Sequence, residues 1–261
     1  MKRKGGSKAR RKSKRERNRI SEGDRREDMK AVLNVGTFYQ NAYLVELKEG
    51  WLLVDTGYPF NYNHFIKKVK RNRIELSSIR YVVLTHVHAD HAGFLKRILS
   101  DTGATLICLP AERERLLSGA NVKEVYLSRK SLFLINRLSA ALSRFQTFEP
   151  VDVAGSLDAE TQPLAEEGIT FFVLHGHTDN DLCFRVDDNL FIGDICMNGV
   201  GAAGYSPLWI EDNAKLVESW RAILATDAER LYVGHGKPFP KTALAEYVDK
   251  QSRRKLCKLF K

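Results

Sequence analysis

Cysteine is scarce in this chain. Cys108, Cys183, Cys196 and Cys257 are the four among 261 residues, and no two form a C-x-x-C pair. That excludes a disulfide framework and reads as reduced thiols in a cytosolic protein. Long apolar runs are also missing: none approaches the roughly 18–20 residues of a membrane span. The very basic start is followed by no apolar h-region, so a secretory signal is not expected and the cytoplasm is the expected compartment. A G-x-S-x-G stretch is absent too, which removes the commonest serine nucleophile elbow from consideration. No internal repeat is present.

Charge is abundant but lopsided. The chain carries +10 overall, yet residues 1–28 hold 13 Lys/Arg against 5 Asp/Glu, which leaves +2 for residues 29–261. A segment so charged and so poor in large apolar residues cannot bury enough surface to fold. We therefore expect residues 1–28 to be a disordered basic extension, and residues 29–261 to be the folded domain. Met29 would serve equally well as a start, because strand-like residues follow it directly. The tail is the only feature suited to a nucleic acid. The 43% of hydrophobic residues is enough for a sizeable core.

Within the body, strand and helix patterns alternate. AVLNV (31–35), AYLVEL (42–47) and WLLVDTG (51–57) predict an antiparallel meander, with Lys48-Glu49-Gly50 as a turn. A helix is predicted over about 61–72. IRYVVLTH (79–86) and ATLICLP (104–110) read as strands buried on both faces. AGFLKRILSD (92–101) and AERERLLSG (111–119) have helical spacing. ITFFVLHGH (169–177), DLCFRV (181–186) and LFIGD (190–194) predict three consecutive strands. Asp212 is a plausible N-cap for a helix over 212–224. RLYVGHG (230–236) reads as a strand and residues 241–260 as one long closing helix. Two groups of strands separated by helices give a layered α/β class.

Residues 85–94 read THVHADHAGF and crowd His86, His88, Asp90 and His91 into six positions. A core does not accept such a group, because each member is costly to bury unless paired or metal-bound. Three further ligand types end predicted strands: His177 after ITFFVLHG, Asp194 after LFIG, and His235 after RLYVG. Each adjoins a glycine, which lets backbone approach closely, and ligands in layered α/β folds gather beyond strand ends. Imidazoles and carboxylates suit Zn²⁺, with Fe²⁺ or Mn²⁺ as alternatives. Seven donors are too many for one tetrahedral ion and suit two. Two such ions ~3.5–4 Å apart can share a hydroxide and supply a nucleophile at neutral pH.

HVHADH with GHT, GD and GHG downstream and LLVDTG upstream resembles the metallo-β-lactamase superfamily, over about residues 29–240. The resemblance implies a four-layer αβ/βα sandwich, α+β in the broad sense, with two facing sheets and helices outside. It implies one metal on His86, His88 and His177, a second on Asp90, His91 and His235, and Asp194 between them. Asp90 would also accept a proton during attack. Asp55 of LVDTG would orient a ligand histidine, since ligating imidazoles need a partner on the other nitrogen. Relatives that bind di-iron place Glu where this chain has His88, so a hydrolase is implied. After His177 the chain reads TDND, where relatives carry a smaller, glycine-bearing stretch, and loop shape there is expected to differ.

A fold does not fix a substrate. The expected substrate is a small molecule with an ester, thioester, lactone or related acyl bond, cleaved by the metal-bridging hydroxide. A nuclease or phosphodiesterase of the same fold is the alternative, supported mainly by the tail. A β-lactamase proper is disfavoured without an export signal, and a non-catalytic scaffold by the complete ligand set. A helical insertion is expected over about 111–150. Within it, Leu132, Ile135, Leu138, Leu142 and Phe145 share one helical face, opposite Arg129, Lys130, Arg137 and Arg144. That helix either packs on the sandwich or covers the site as a lid. In the loop 196–212, Tyr205 is a candidate donor to a developing oxyanion, Trp209 a packing residue, and Lys237 a contact for an acidic group. His64 is expected at the surface, and His175 in a structural role.

Overall fold

A computed structural model describes residues 29–119, 126–128, 147–154, 157–158, 163–199 and 202–258. The expected tail 1–28 and the expected lid helix within 128–148 lie outside these, apart from Ser128, Thr147 and Phe148. Contacts divide the chain into Met1–Ala31 and Val32–Lys261, and the fold is that of the second unit.

Two sheets form its centre. The first has six strands: β1 (Val32–Asn34), β2 (Tyr43–Glu46), β3 (Trp51–Val54), β4 (Ile79–Val83), β5 (Thr105–Cys108) and, beyond a separate strand β6 (Tyr126–Ser128), β7 (Leu157–Asp158). The meander β1-β2-β3 is antiparallel, with Val32 opposite Val45 and Val54 opposite Tyr43, and β3-β4-β5-β7 run parallel. The second sheet has the order β12-β11-β10-β9-β8, from β8 (Ile169–Leu174), β9 (Asp181–Val186), β10 (Asn189–Phe191), β11 (Arg230–Tyr232) and β12 (Phe239–Pro240). Its pairings are antiparallel except β10 with β11.

Residue alternation turns one face of each sheet toward the other. Tyr43, Val45, Leu52, Val54, Val83 and Ile107 meet Ile169, Leu182, Phe184 and Phe191 in a shared core. The outer faces take helices. On the first sheet lie α1 (Tyr62–Arg71), the single turn α2 (Ala89–Ala92), α3 (Leu95–Thr102) and α4 (Arg113–Ser118). α1 buries Tyr62, Phe65 and Val69, a spacing that keeps one stripe inward. Each such side chain contributes about 2 kcal/mol. On the second sheet α5 (Asn213–Ala225) and α6 (Ala245–Ser252) bury Leu216, Trp220, Ile223 and Val248. The layers are therefore αβ/βα, as expected. Asp212 caps α5 through its carboxylate, which accepts from the Ala214 and Lys215 amides.

The closing segment corrects the reading of one helix over 241–260. A 3₁₀ turn (Lys241–Leu244) leads into α6, which stops at Ser252. Leu256–Lys258 then form β13, antiparallel to β6. Arg254 is held by the Ala203 carbonyl and Gln251 Oε1, and strand pairing overrides the helical spacing there. In the expected helical insertion 111–150, the described residues include α4 but also the strand β6.

Candidate metal centre

All the strand ends of interest open on one rim. β3 ends at Asp55, β4 runs into Thr85–His88, β8 into Gly176–His177, β10 into Gly193–Asp194 and β11 into Gly234–His235. His88 keeps an extended backbone, and α2 starts after it, with the His91 and Ala92 amides bonded to the His88 carbonyl. Ala89 and Ala92 go into the core, which leaves Asp90 and His91 for the rim.

The seven side chains singled out in the sequence come together. His177 Nε2 lies 3.1 Å from His86 Nε2 and 3.2 Å from His88 Nδ1. Opposite, His235 Nε2 is 3.1 Å from Asp90 Oδ2, and His91 Nε2 is 3.9 Å from the same oxygen. Asp194 Oδ2 stands between, 3.3 Å from His235 Nε2, 3.6 Å from His91 Nε2 and 3.8 Å from His177 Nε2. The groupings capable of holding an ion are His86/His88/His177, His86/His91/Asp194 and Asp90/His91/His235.

Tautomers follow from what each outer ring nitrogen meets. Asp55 Oδ1 accepts from the Thr85 amide, and its Oδ2 accepts both the Thr85 hydroxyl and His91 Nδ1–H, each at 2.8 Å. Having given its proton to Asp55, Thr85 Oγ1 can only accept from His86 Nδ1–H, at 3.0 Å. His177 Nδ1–H donates to the Trp209 carbonyl (2.9 Å) and His235 Nδ1–H to the Tyr39 carbonyl (2.6 Å). Four imidazoles are thus fixed with Nε2 turned inward.

Electrostatics separate the two halves. Burial, then repulsion by the neighbouring rings, pushes His86 well below the usual histidine range; burial brings His88 down to about 3 and also lowers His177. Burial opposes ionisation of Asp90 and Asp194, but His91 and His235 outweigh it and hold both carboxyls low. Burial likewise opposes charge on His91 and His235; Asp55, Asp194 and Asp90 outweigh it for His91, and Asp194 and Asp90 for His235. Neutral lone pairs face ionised carboxylates across the rim.

That donor set fits two divalent cations. His91 Nε2 and Asp194 Oδ1 are buried and form no hydrogen bond, an expensive state that a cation would relieve. Bonds of about 2.1 Å in a tetrahedron put neighbouring donors about 3.4 Å apart, close to the 3.1 and 3.2 Å separations around His177. No disulfide or thiol competes: Cys183 and Cys196 are buried and burial raises both thiols.

A family model described as Metallo-beta-lactamase superfamily matches residues 35–235. The chain belongs to the metallo-β-lactamase superfamily. Solved superfamily members share its fold: one from the archaeon Sulfolobus tokodaii aligns at TM-score 0.62 and 17% identity over 89% of this chain and 90% of that one. A metallo-beta-lactamase with a HARLDQ motif from Cronobacter sakazakii aligns at 0.61 and 18% over 85% and 91%. Among curated proteins, a beta-lactamase-like protein 2 homolog of Drosophila melanogaster is 25% identical over 82% of this chain, and a lactamase-like protein of Pestalotiopsis microspora 25% over 76%. The chain spans 65% of the first relative's length and 49% of the second's.

Within the superfamily frame, several side chains do what the motifs alone could not announce. Gly234 is required because a Cβ there would collide with Asp194 Oδ1 and His91 Cε1, and Gly193, at φ 48°, backs directly onto Thr85. Asn41 was missed by the sequence reading. Its amide N–H bonds the Gly234 carbonyl, and its Nδ2 bonds the carbonyls of Val233 (2.8 Å) and Gly236 (2.7 Å), which brackets His235. Asn198 similarly clamps Lys237 backbone through both amide atoms, while the Lys237 side chain is exposed. His175 is tied by backbone to Ser219 Oγ and by ring to the Asp179 carbonyl, a structural place.

Tyr205 packs among aromatic rings. Its ring stacks on Phe239 (centroids 4.4 Å apart) and meets Tyr247 edge-on, over the core behind the second sheet. The charges its phenol feels come from Tyr247, Cys196 and Glu246. By contrast, Tyr58 stands in the fields of Asp90 and Asp194, and burial above all keeps its phenol protonated. The aromatic anchors Phe239 and Tyr247 are invisible from the local loop sequence.

Proposed function

We propose that this chain is a metal-dependent hydrolase of an ester, thioester, lactone or related acyl bond, working with two divalent cations, preferentially zinc. The observation that carries the reading is Asp194 Oδ2, within 3.3–3.8 Å of ring nitrogens from both halves of the donor set. Bound divalent ions would supply Lewis acidity and water activated at neutral pH.

The protein's own residues account for the rest. His86, His88 and His177 would hold the first ion, and Asp90, His91 and His235 the second, with Asp194 shared. Asp55, Thr85, Trp209 and Tyr39 orient the rings; His86 and His177 present Nε2 lone pairs, whereas His91 and His235, held protonated by Asp55, Asp194 and Asp90, would give up a proton to an arriving ion. Asp90 is ionised, and its side chain is 19% exposed against 6% for Asp194. It is therefore the carboxylate best placed to take a proton from attacking water and return it to the leaving group. Tyr205 has no part in this reading.

The test is a hydrolysis screen over thioesters, lactones, β-lactams and phosphodiesters, with and without chelator. Chelator-sensitive turnover of an acyl substrate is expected. It should vanish in Asp194→Ala and His177→Ala, with lowered metal content and an unchanged circular dichroism spectrum. Full turnover by metal-stripped protein, or cleavage of phosphodiesters alone, would end this reading.

A further inference from the structure

A row of four aromatic rings runs away from the donor set on the His235 side. The Tyr39 carbonyl holds His235 Nδ1, and the Tyr39 ring lies 5.0 Å from Phe38 and 6.3 Å from Tyr58. Tyr58 in turn stacks on Phe60 at 5.3 Å and 11°. Phe38 is 90% exposed and Phe60 62% exposed. A core has no use for rings placed so far into water, and burying either one against a ligand would be favourable. Beside them opens a cleft of about 450 Å³ lined by Thr37, Phe38, Tyr39, Asn61, His64 and Lys68.

The two segments that line the cleft carry no carboxylate of their own, although Asp101 approaches from α3 to accept from the Tyr62 hydroxyl. Residues 32–45 and 56–74 contain no Asp or Glu, while α1 and the turn after it carry His64, Lys67, Lys68, Lys70, Arg71 and Arg73. Lys68 Nζ is tethered to the Gly36 carbonyl at 2.5 Å, and this fixes its ammonium at the cleft. Lys68 Nζ also reaches the Asn34 carbonyl at 3.5 Å, and of an ammonium's three donors one is left for a ligand. Tyr58 also stands in the field of Asp90, the residue that would return the proton to the leaving group.

We infer that this ledge is the leaving-group subsite, built for a leaving group that carries a flat ring and a negative charge. The inference rests on the acyl-hydrolase reading for its chemistry. For a thioester, the water oxygen bonds to the acyl carbon, the C–S bond breaks, and the departing thiolate takes a proton. The acyl part then lies toward His86 and His88, and the thiol toward Tyr39 and Tyr58. The row that ends in Phe38 and Phe60 offers the apolar surface for the flat ring, and His64 and Lys68 offer donors to the anion.

The experiment uses the metal-loaded full chain and thioesters of one acyl group with three thiols: hexanethiol, 2-phenylethanethiol and 2-(4-carboxyphenyl)ethanethiol. Two carbons separate ring from sulfur, so thiol acidity hardly changes along the series. We expect kcat/KM to rise along it, by about tenfold for the ring. Phe38→Ala with Phe60→Ala should erase the ring preference, bringing the phenylethyl substrate to the same kcat/KM as the hexyl one. His64→Asp, an exposed change that folding tolerates, should erase the preference for the carboxylate. Equal kcat/KM for the three substrates, or preferences that survive these variants, overturns the inference. Binding of 2-naphthalenesulfonate against hexanesulfonate, followed by NMR, separates the two readings. If no thioester is cleaved but the naphthyl probe binds tighter and loses that advantage in the Phe38→Ala/Phe60→Ala variant, the acyl-hydrolase reading falls and the subsite stands. Equal binding of both sulfonates removes the subsite.

Discussion

Asp55 Oδ2 accepts His91 Nδ1–H at 2.8 Å while the same carboxylate takes both the amide and the hydroxyl of Thr85. Asp55 adopts φ 55° to do so, a left-handed conformation costing of order 1 kcal/mol in a non-glycine residue. Three donors converge on two oxygens, so an amide cannot substitute: in Asp55→Asn one N–H would face another. Metal affinity should fall roughly 10–100-fold. Competition with a chromogenic chelator measures it, and a wild-type affinity in the variant would remove Asp55 from its orienting role.

Gly234→Ala probes the opposite side of the same ring. The added methyl has no room between Asp194 Oδ1 and His91 Cε1, and the strand end is held by the Gly234 amide on the Gly193 carbonyl at 2.7 Å. Asp194 must move by a sizeable fraction of an ångström. A displacement of that size at a reacting centre costs about 100-fold in turnover. Bound metal by elemental analysis, read beside kcat, should fall with it; unchanged values of both would contradict the packing.

The donors were legible because their chemistry resists burial. His86, His88, Asp90 and His91 make no sense in a core, and His177, Asp194 and His235 announce themselves at strand ends beside glycine. Their orientation was much less visible. Two rings are fixed by backbone carbonyls, of Trp209 and Tyr39, and a carbonyl has no signature in sequence. The layered fold followed from strand and helix periods, whereas β7 and β12, each two residues long, are too short to show a period. Pairing of β13 with β6 spans more than a hundred residues and overrode the helical spacing after Ser252. The packing of Tyr205 was hidden for the same reason, since its partners Phe239 and Tyr247 lie far along the chain.

Asn41 is the contact that joins the first sheet's β1-β2 turn to the His235 loop. Its side chain is buried, and Asn34 Nδ2 satisfies its Oδ1 at 2.7 Å. Asn41→Ala would leave the Val233 and Gly236 carbonyls without these donors. Denaturant unfolding of the metal-free variant should show a loss of about 2 kcal/mol. The loss in metal affinity should be confined to one of two binding steps, because only His235 is bracketed by these carbonyls. A calorimetric titration in which both steps weaken equally would indicate a general loosening instead.

Glu211 gives the fold a pH signature through a carboxyl outside the seven donors. Burial pushes its carboxyl from the usual 4.5 up to about 7, with Arg115 opposing and Asp179 and Glu112 adding to the rise. A folded value above the unfolded one means that the neutral acid is the form the fold prefers. Its stability contribution is therefore fully present below about pH 4.5 and is lost as pH rises to about 7. Because the side chain is partly solvated, screening reduces the effect to about 1 kcal/mol. Glu211→Gln keeps the shape and removes the titration. The difference in unfolding free energy between variant and wild type should thus grow with pH from 5 to 7 in favour of Gln, then stay level to pH 8. A difference that is flat across that range would show that Glu211 ionises in the folded protein as it does in water.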